Sequence, residues 1–354
     1  MGKRIAVIPG DGIGVEVTRE AVRVLEAVSE VYGLALEMVT FDWGAEKYLR
    51  EGVARPEGAV EMLQREYDAI LAGAFGDPRV PDHRHAREIL LGLRVQLDLY
   101  VNLRPVKLLD PRLTPLKGRT PEEIDFVIVR ENTEGAYVDV GGVFKAGTPE
   151  EVALQEEITT RRGTERIIVA AFEYARTRGR RRVTLVDKSN VLRYGHGVWQ
   201  RVFWEVARRY PEIEATHQYV DAMALLMVQD PAACDVIVTT NMFGDILSDL
   251  GAALIGGLGL APSGNIHPGR VSLFEPVHGT APALAGKNVA NPMGAILTAA
   301  MMLDYLGEAT AARAIERAVV EAIRADEVTR DLGGSLSTEE VGRAIAARVR
   351  AHAS

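Results

Sequence analysis

A chain of 354 residues is about twice the length of an ordinary single domain, so two packed lobes are expected. Hydrophobic residues make up 47% and charged residues 25%, which is enough apolar material for a large core. The net charge of −8 argues against a nucleic-acid partner, and no apolar run reaches the ~20 residues that would span a membrane.

Met1-Gly2-Lys3-Arg4 leads straight into the first strand candidate, Arg4–Ile8, so no export signal is read there. Pro9-Gly10-Asp11-Gly12-Ile13-Gly14 follows and opens onto an amphipathic helix, Val17–Ser29. A dinucleotide fingerprint would need a third glycine where this chain has Val15, so the stretch reads as a tight strand-to-helix turn near a ligand. Any cofactor is then held elsewhere. After the strand candidate Ala69–Leu71, helix-like Arg84–Leu99 sets Arg87, Leu90, Leu91 and Arg94 at i, i+3, i+4 and i+7. That face has guanidinium ends and an aliphatic middle. Arg104 follows, and Arg130 closes the strand candidate Asp125–Val129. Singly, each arginine reads as a surface ion pair; together, if the fold gathers them, their planar forks suit a dicarboxylate.

Lys107–Pro121 reads as an excursion between lobes or elements, and glycine-bearing Asp139–Thr148 as an exposed arm. Helix Thr164–Ala175, strand Arg182–Val186, helix Gly197–Ala207 and strand Asp235–Thr239 come next, then helices near Ala309–Ala325 and Thr338–Ala351. Short β-branched runs alternating with longer amphipathic ones indicate an α/β fold with a mostly parallel sheet. The single cysteine, Cys234, cannot form an internal disulfide; it reads as a small core residue and suits a reducing, cytoplasmic setting.

The strongest chemical signal is CDVIVTTNMFGDILSDL, 234–250. A buried strand is expected to end at Asn241 and a helix to begin close to Gly244. Asp245 and Asp249 then stack on one helix face about 6 Å apart at Cβ. Like charges so placed repel, and a hard divalent cation, Mg2+ or Mn2+, would offset the cost. A solvated helix start is the equally weighted plain reading. Asp221, after the strand-like His217–Val220, is a candidate third ligand.

Pro9–Gly14, Asn102–Pro105, Val129–Tyr137 (VRENTEGAY), Asp187–Asn190 (DKSN), Asn241–Leu250 and Phe274–Pro292 (FEPVHGTAPALAGKNVANP) resemble the isocitrate/isopropylmalate dehydrogenase family of β-decarboxylating dehydrogenases. The likeness covers almost the whole chain, with the motifs in family order. It implies an isopropylmalate-dehydrogenase-like two-lobe fold with the active site in a cleft between the lobes. The second lobe (101–252) is inserted into the first (1–100 and 253–354). It implies a homodimer with shared active sites, Lys188 and Asp221 reaching the partner's cleft, with tetramers left open. Arg94, Arg104 and Arg130 would bind a malate's carboxylates, with Leu90, Leu91, Asn190 and Asp221 also facing substrate. Asp221, Asp245 and Asp249 would hold Mg2+ or Mn2+. The cofactor would lie against Ile13, Ala74, Glu275, His278, Gly279, Thr280, Ala281, Ala283, Leu284 and Asn291 rather than on a Rossmann loop.

The implied chemistry is oxidation of a 2-hydroxy acid followed by loss of CO2. A metal chelated by the hydroxyl and carboxylate acts as a Lewis acid, Lys188 takes the hydroxyl proton, hydride leaves for nicotinamide, and Tyr137 protonates the enolate carbon. Leu90 and Leu91 suit an alkyl substituent, which favours 3-isopropylmalate, since burying such a group is worth roughly 1.5–3 kcal/mol. VRENTEGAY and the Gly141–Thr148 stretch look more like tartrate or D-malate dehydrogenases, the alternative reading; homoisocitrate and isocitrate rank below. Ala283-Leu284 matches neither the Asp of NAD-using relatives nor the Lys-Tyr of NADP-using ones. The absence of a cation at 283 favours NAD, while Arg330 keeps NADP open. A silent regulatory subunit is the rival class, and retention of Tyr137, Lys188, Asp221, Asp245 and Asp249 together speaks against it.

Overall fold

The computed structural model describes residues 2–352. It divides into two compact units: one holds residues up to Leu99, Arg104–Ile124 and Ala252 onward, the other Tyr100–Leu103 and Asp125–Gly251. The segment 104–124, expected with the second lobe, belongs to the first unit. Leu108 N–H donates to Ile124 O at 2.9 Å there, and Arg112 Nη1 reaches Asp326 at 2.7 Å.

The strands are β1 (Lys3–Gly10), β2 (Leu36–Thr40), β3 (Ala69–Ala74), β4 (Val101–Lys107), β5 (Asp125–Glu131), β6 (Gly141–Phe144), β7 (Val152–Gln155), β8 (Arg182–Asp187), β9 (Glu214–Tyr219), β10 (Val236–Thr239), β11 (Gly264–Ile266) and β12 (Ser272–Phe274). In the first unit the order is β2-β1-β3-β12-β11. All neighbours are parallel except β11 with β12, in registers such as Ile5↔Ala69 and Ser272↔Ala69. Alternate side chains serve opposite faces. Ala6, Ile8, Ile70, Ala72 and Leu273 join Trp43, Leu63, Ile89 and Leu93 in one core. Ile5, Val7, Leu71 and Phe274 are buried on the other face. There the helices Ile13–Tyr32, Met293–Tyr305, Ala309–Arg324 and Thr338–Ala351 pack on one another. Ser337 starts the last of these with a reciprocal capping box to Glu340.

In the second unit β5-β10-β8-β9 are parallel throughout, with Val127, Val236, Val183 and Ala215 in register. Runs such as Phe126–Val129 and Val236–Val238 are buried on both faces, as a covered parallel sheet requires. Helices Arg161–Arg178 and Gly195–Ala207 supply part of that cover, with Phe172 5.6 Å from Phe203 and stacked on Tyr210 at 5.1 Å. Cys234 is buried, as expected, and burial pushes its thiol up to about 12. The expected arm is an antiparallel hairpin, β6 with β7, and every residue of both strands is exposed.

Two sequence expectations change. The strand before the acidic helix ends at Thr239, and the helix begins at Asn241 rather than near Gly244. Helix-like 84–99 is broken: a π turn at Arg87–Leu91 separates Arg84–Ala86 from Gly92–Gln96. The wider turn departs from the regular spacing of the expected stripe. Ile89, Leu93 and Arg94 are buried, Leu90 is half-buried on the core, and Leu91 is exposed.

Candidate active site

Parallel strands bring their carboxyl ends to one edge of a sheet, where ligands of α/β folds gather. In the second unit that edge carries nearly every residue expected to do chemistry. β5 ends with Arg130 and Glu131, β8 runs into Lys188, β9 into Asp221, and β10 into Asn241 and Asp245.

Arg130 is the best-defined of them, 2% exposed despite its charge. Its Nε donates to Asn241 Oδ1 at 2.9 Å, its Nη1 pairs with Asp245, and its guanidinium lies 5.3 Å from the Tyr137 ring centroid. Tyr137 Oη donates to the other Asp245 oxygen at 2.8 Å. Asn241 Nδ2 donates to Glu134 O at 3.0 Å, pinning the loop that carries Tyr137. Gly244 explains how the helix comes so close: a Cβ there would meet Arg130 Cβ at 2.5 Å. Behind Arg130, Glu131 is buried, which pushes its carboxyl up, while the N–H groups of Thr133 and Glu134 bind it. Asn241 and Glu131 lie inside the quoted motifs, yet their part in fixing Arg130 and its loop has no signature in spacing alone.

Lys188 Nζ pairs with Asp221, and this ammonium holds the Asp221 carboxyl below its usual range. The preceding Asp187 is fully buried and takes donors from Ser189 N, Gln200 Nε2 and, at 2.9 Å, His217 Nε2. Asn190 is exposed. Asp245 and Asp249 share one helix at i and i+4; Asp245 is engaged by Arg130 and Tyr137, and Asp221 of the same chain by Lys188. Among the described residues no three His, Cys, Asp or Glu side chains converge as a metal site. One chain thus offers the Asp245–Asp249 pair, a hard oxygen donor set that suits Mg2+ or Mn2+ once a further oxygen ligand is added.

The first unit carries the residues expected to hold the cofactor. Gly12 has φ 56, and a Cβ on it would lie 2.2 Å from Thr280 O; Ile13 N–H donates to that same oxygen at 2.9 Å. Asp11 N–H donates to Ala74 O at 2.7 Å. Ile13, Ala74 and Thr280 are therefore together, and the glycines of the turn serve close backbone packing rather than a phosphate cradle. Ala281, also strained at φ 38, leads to exposed Ala283 and Leu284. Gly279 is exposed as well. His278 is 8% exposed, its Nε2 buried with no protein partner, and burial holds its imidazole below the usual range. An orphaned buried nitrogen of this kind fits a ligand's polar group. Asn291 Oδ1 accepts from Met293 N, and its Nδ2 donates to Asp331 at 3.0 Å. Glu275 is spent differently: its Oε1 accepts from Arg94 Nη2 at 2.9 Å and from Asn265 Nδ2 at 2.8 Å. Arg104 is buried in this unit. Asp11, which the sequence reading left without a role, accepts from Ala45 N, Gly76 N and His85 Nε2, tying three segments to the turn.

Comparison with known proteins gives the family. The chain is 48% identical over 348 residues to a 3-isopropylmalate dehydrogenase of Thermobifida fusca, covering 98% of this chain and 97% of that one. It is 50% identical over 349 residues to a 3-isopropylmalate dehydrogenase of Corynebacterium efficiens, covering 98% and 99%. Among solved structures it resembles isocitrate dehydrogenase from Methylococcus capsulatus with a TM-score of 0.90 at 40% identity, covering 99% of this chain and 100% of that one. The sequence profile described as isocitrate/isopropylmalate dehydrogenase matches residues 4–345, and the chain belongs to that family.

Proposed function

We propose that the chain oxidises and decarboxylates 3-isopropylmalate, with NAD as hydride acceptor and Mg2+ or Mn2+ as the resident cation. The observation that carries this reading is the Arg130–Asp245–Tyr137 constellation with Lys188 at the neighbouring strand end, in a family of decarboxylating dehydrogenases. The relatives at 48% and 50% identity named for 3-isopropylmalate favour it over tartrate or D-malate.

Asp245 and Asp249, with Asp221 of the partner subunit, would hold the cation, which would supply Lewis acidity to the hydroxyl being oxidised. Arg130, fixed in direction by Asn241, is the guanidinium placed to grip a substrate carboxylate. Lys188 of the partner subunit takes the hydroxyl proton through Nζ, and Tyr137 Oη returns a proton to the carbon that loses CO2. In the first unit, Glu275 sets the direction of Arg94, and Leu91 on the same broken helix is an exposed aliphatic side chain of the kind that suits an alkyl substituent. Ala283-Leu284 places no cation for a 2′-phosphate, which favours NAD. Two copies pair through the second unit, where the hairpin exposes Val143, Phe144, Val152 and Leu154, and helix Val220–Gln229 exposes Leu225 and Val228.

The test is NADH and NADPH formation with 3-isopropylmalate, D-malate, tartrate, isocitrate and homoisocitrate, with Mn2+ and with EDTA. Fastest NADH formation from 3-isopropylmalate, abolished by EDTA, is expected. Preference for another acid, or turnover that survives EDTA, would overturn the assignment.

A further inference from the structure

We infer that His196 is a positioning residue for Lys188, linking that lysine's backbone to the root of the exposed hairpin. The inference rests on the reading above in which Lys188 takes the hydroxyl proton. Lys188 N–H donates to His196 Nδ1 at 2.8 Å, and His196 is 1% exposed at the start of helix Gly195–Ala207. Lys188 O in turn accepts from Val191 N and Leu192 N, and Leu192 O accepts from His196 N at 3.1 Å. The loop therefore closes on itself, with the imidazole as the only side chain in the ring of bonds.

Because Nδ1 accepts, the ring proton sits on Nε2, which faces Glu157 Oε1 at 3.3 Å. Glu157 stands where the hairpin joins the unit: Glu156 N donates to Val140 O, and Gly135 and Ile158 exchange both backbone bonds. Gly135 is two residues before Tyr137. The imidazole also packs edge-on against Phe243, 5.5 Å between centroids, on the helix that carries Asp245. One buried ring thus touches the Lys188 loop, the hairpin root and the acidic helix. A group that merely filled space would need neither a specific acceptor at Nδ1 nor a donor at Nε2.

The two nitrogens can be separated by substitution. Asparagine places an oxygen near Nδ1, so His196→Asn keeps an acceptor for Lys188 N–H and loses Glu157. Glutamine places an amide nitrogen near Nε2, so His196→Gln keeps Glu157 and loses the acceptor. Steady-state kinetics with 3-isopropylmalate, NAD and Mn2+ should show H196Q losing about tenfold or more in kcat with KM for NAD unchanged, and H196N within about threefold of the parent. Hydrogen exchange of the peptide 187–192 should be faster in H196Q than in H196N, with both variants unfolding at similar temperatures. Parent-like kcat in H196Q, or equal losses in the two variants, would overturn the inference. If the parent fails to oxidise 3-isopropylmalate, or Lys188→Ala keeps full activity, the functional reading falls instead. Hydrogen exchange then decides the positioning claim by itself, with equal exchange refuting it.

Discussion

Arg130 has to be a guanidinium. Buried, it satisfies Asn241 through Nε, Asp245 through Nη1 and the face of Tyr137 through its plane, whereas a lysine ammonium gathers its donors on one nitrogen and has no plane to stack. Arg130→Lys is therefore expected to lose about a hundredfold or more in kcat/KM while remaining folded, because Asn241 Oδ1 loses its donor and the carboxylate grip loses its fork. Steady-state kinetics beside a thermal melt checks both halves; near-parental kcat/KM would show that charge alone suffices. Much of this residue-scale picture was legible from the motifs VRENTEGAY and NMFGDILSDL. The hold of Glu275 on Arg94 was not, since the two lie 181 positions apart and neither has a local pattern that names the other.

Among the elements, the helix beginning at Asn241 is set against β5 by the missing side chain at Gly244. Gly244→Ala would force its methyl group into Arg130, at a cost of about 1–3 kcal/mol in stability and a drop in kcat/KM from displacement of the guanidinium. A lowered melting temperature with unchanged kcat/KM would separate packing from positioning and reject the second half. Helices Ala309–Arg324 and Thr338–Ala351 were readable because each keeps one apolar stripe and the latter a capping box. Helix Met293–Tyr305 was missed because it is apolar nearly all round and shows no period. β4 was hidden by Asn102, Arg104 and Pro105, and β11 and β12 are only three residues each. The π turn at Arg87–Leu91 breaks a spacing that looked regular.

At the scale of the whole molecule, the sequence indicated two lobes and an inserted second one, but not that 104–124 returns to the first unit. Its Pro, Gly and charge read as a connection, and only distant partners such as Asp326 fix where it packs. The exposed hairpin is the device proposed to join two copies, and a pair of charges on its apolar side chains tests that. Phe144→Asp with Leu154→Asp should shift the sedimenting species from dimer to monomer and remove most turnover, since Asp221 of the second copy would be lost from the cation. A stable, active monomer would refute shared sites.

The first unit is assembled from both ends of the chain: helix Ile13–Tyr32 packs on Thr338–Ala351, with Arg350 reaching Glu30 at 2.9 Å. During translation, helix Ile13–Tyr32 must therefore wait on the ribosome for a partner made roughly three hundred codons later. Residues 125–251 are available to one another roughly a hundred codons earlier, and domains fold as units as they emerge. Nascent chains stalled near the end should hold a protease-resistant middle beside a still-digestible beginning, the reverse of simple head-to-tail maturation.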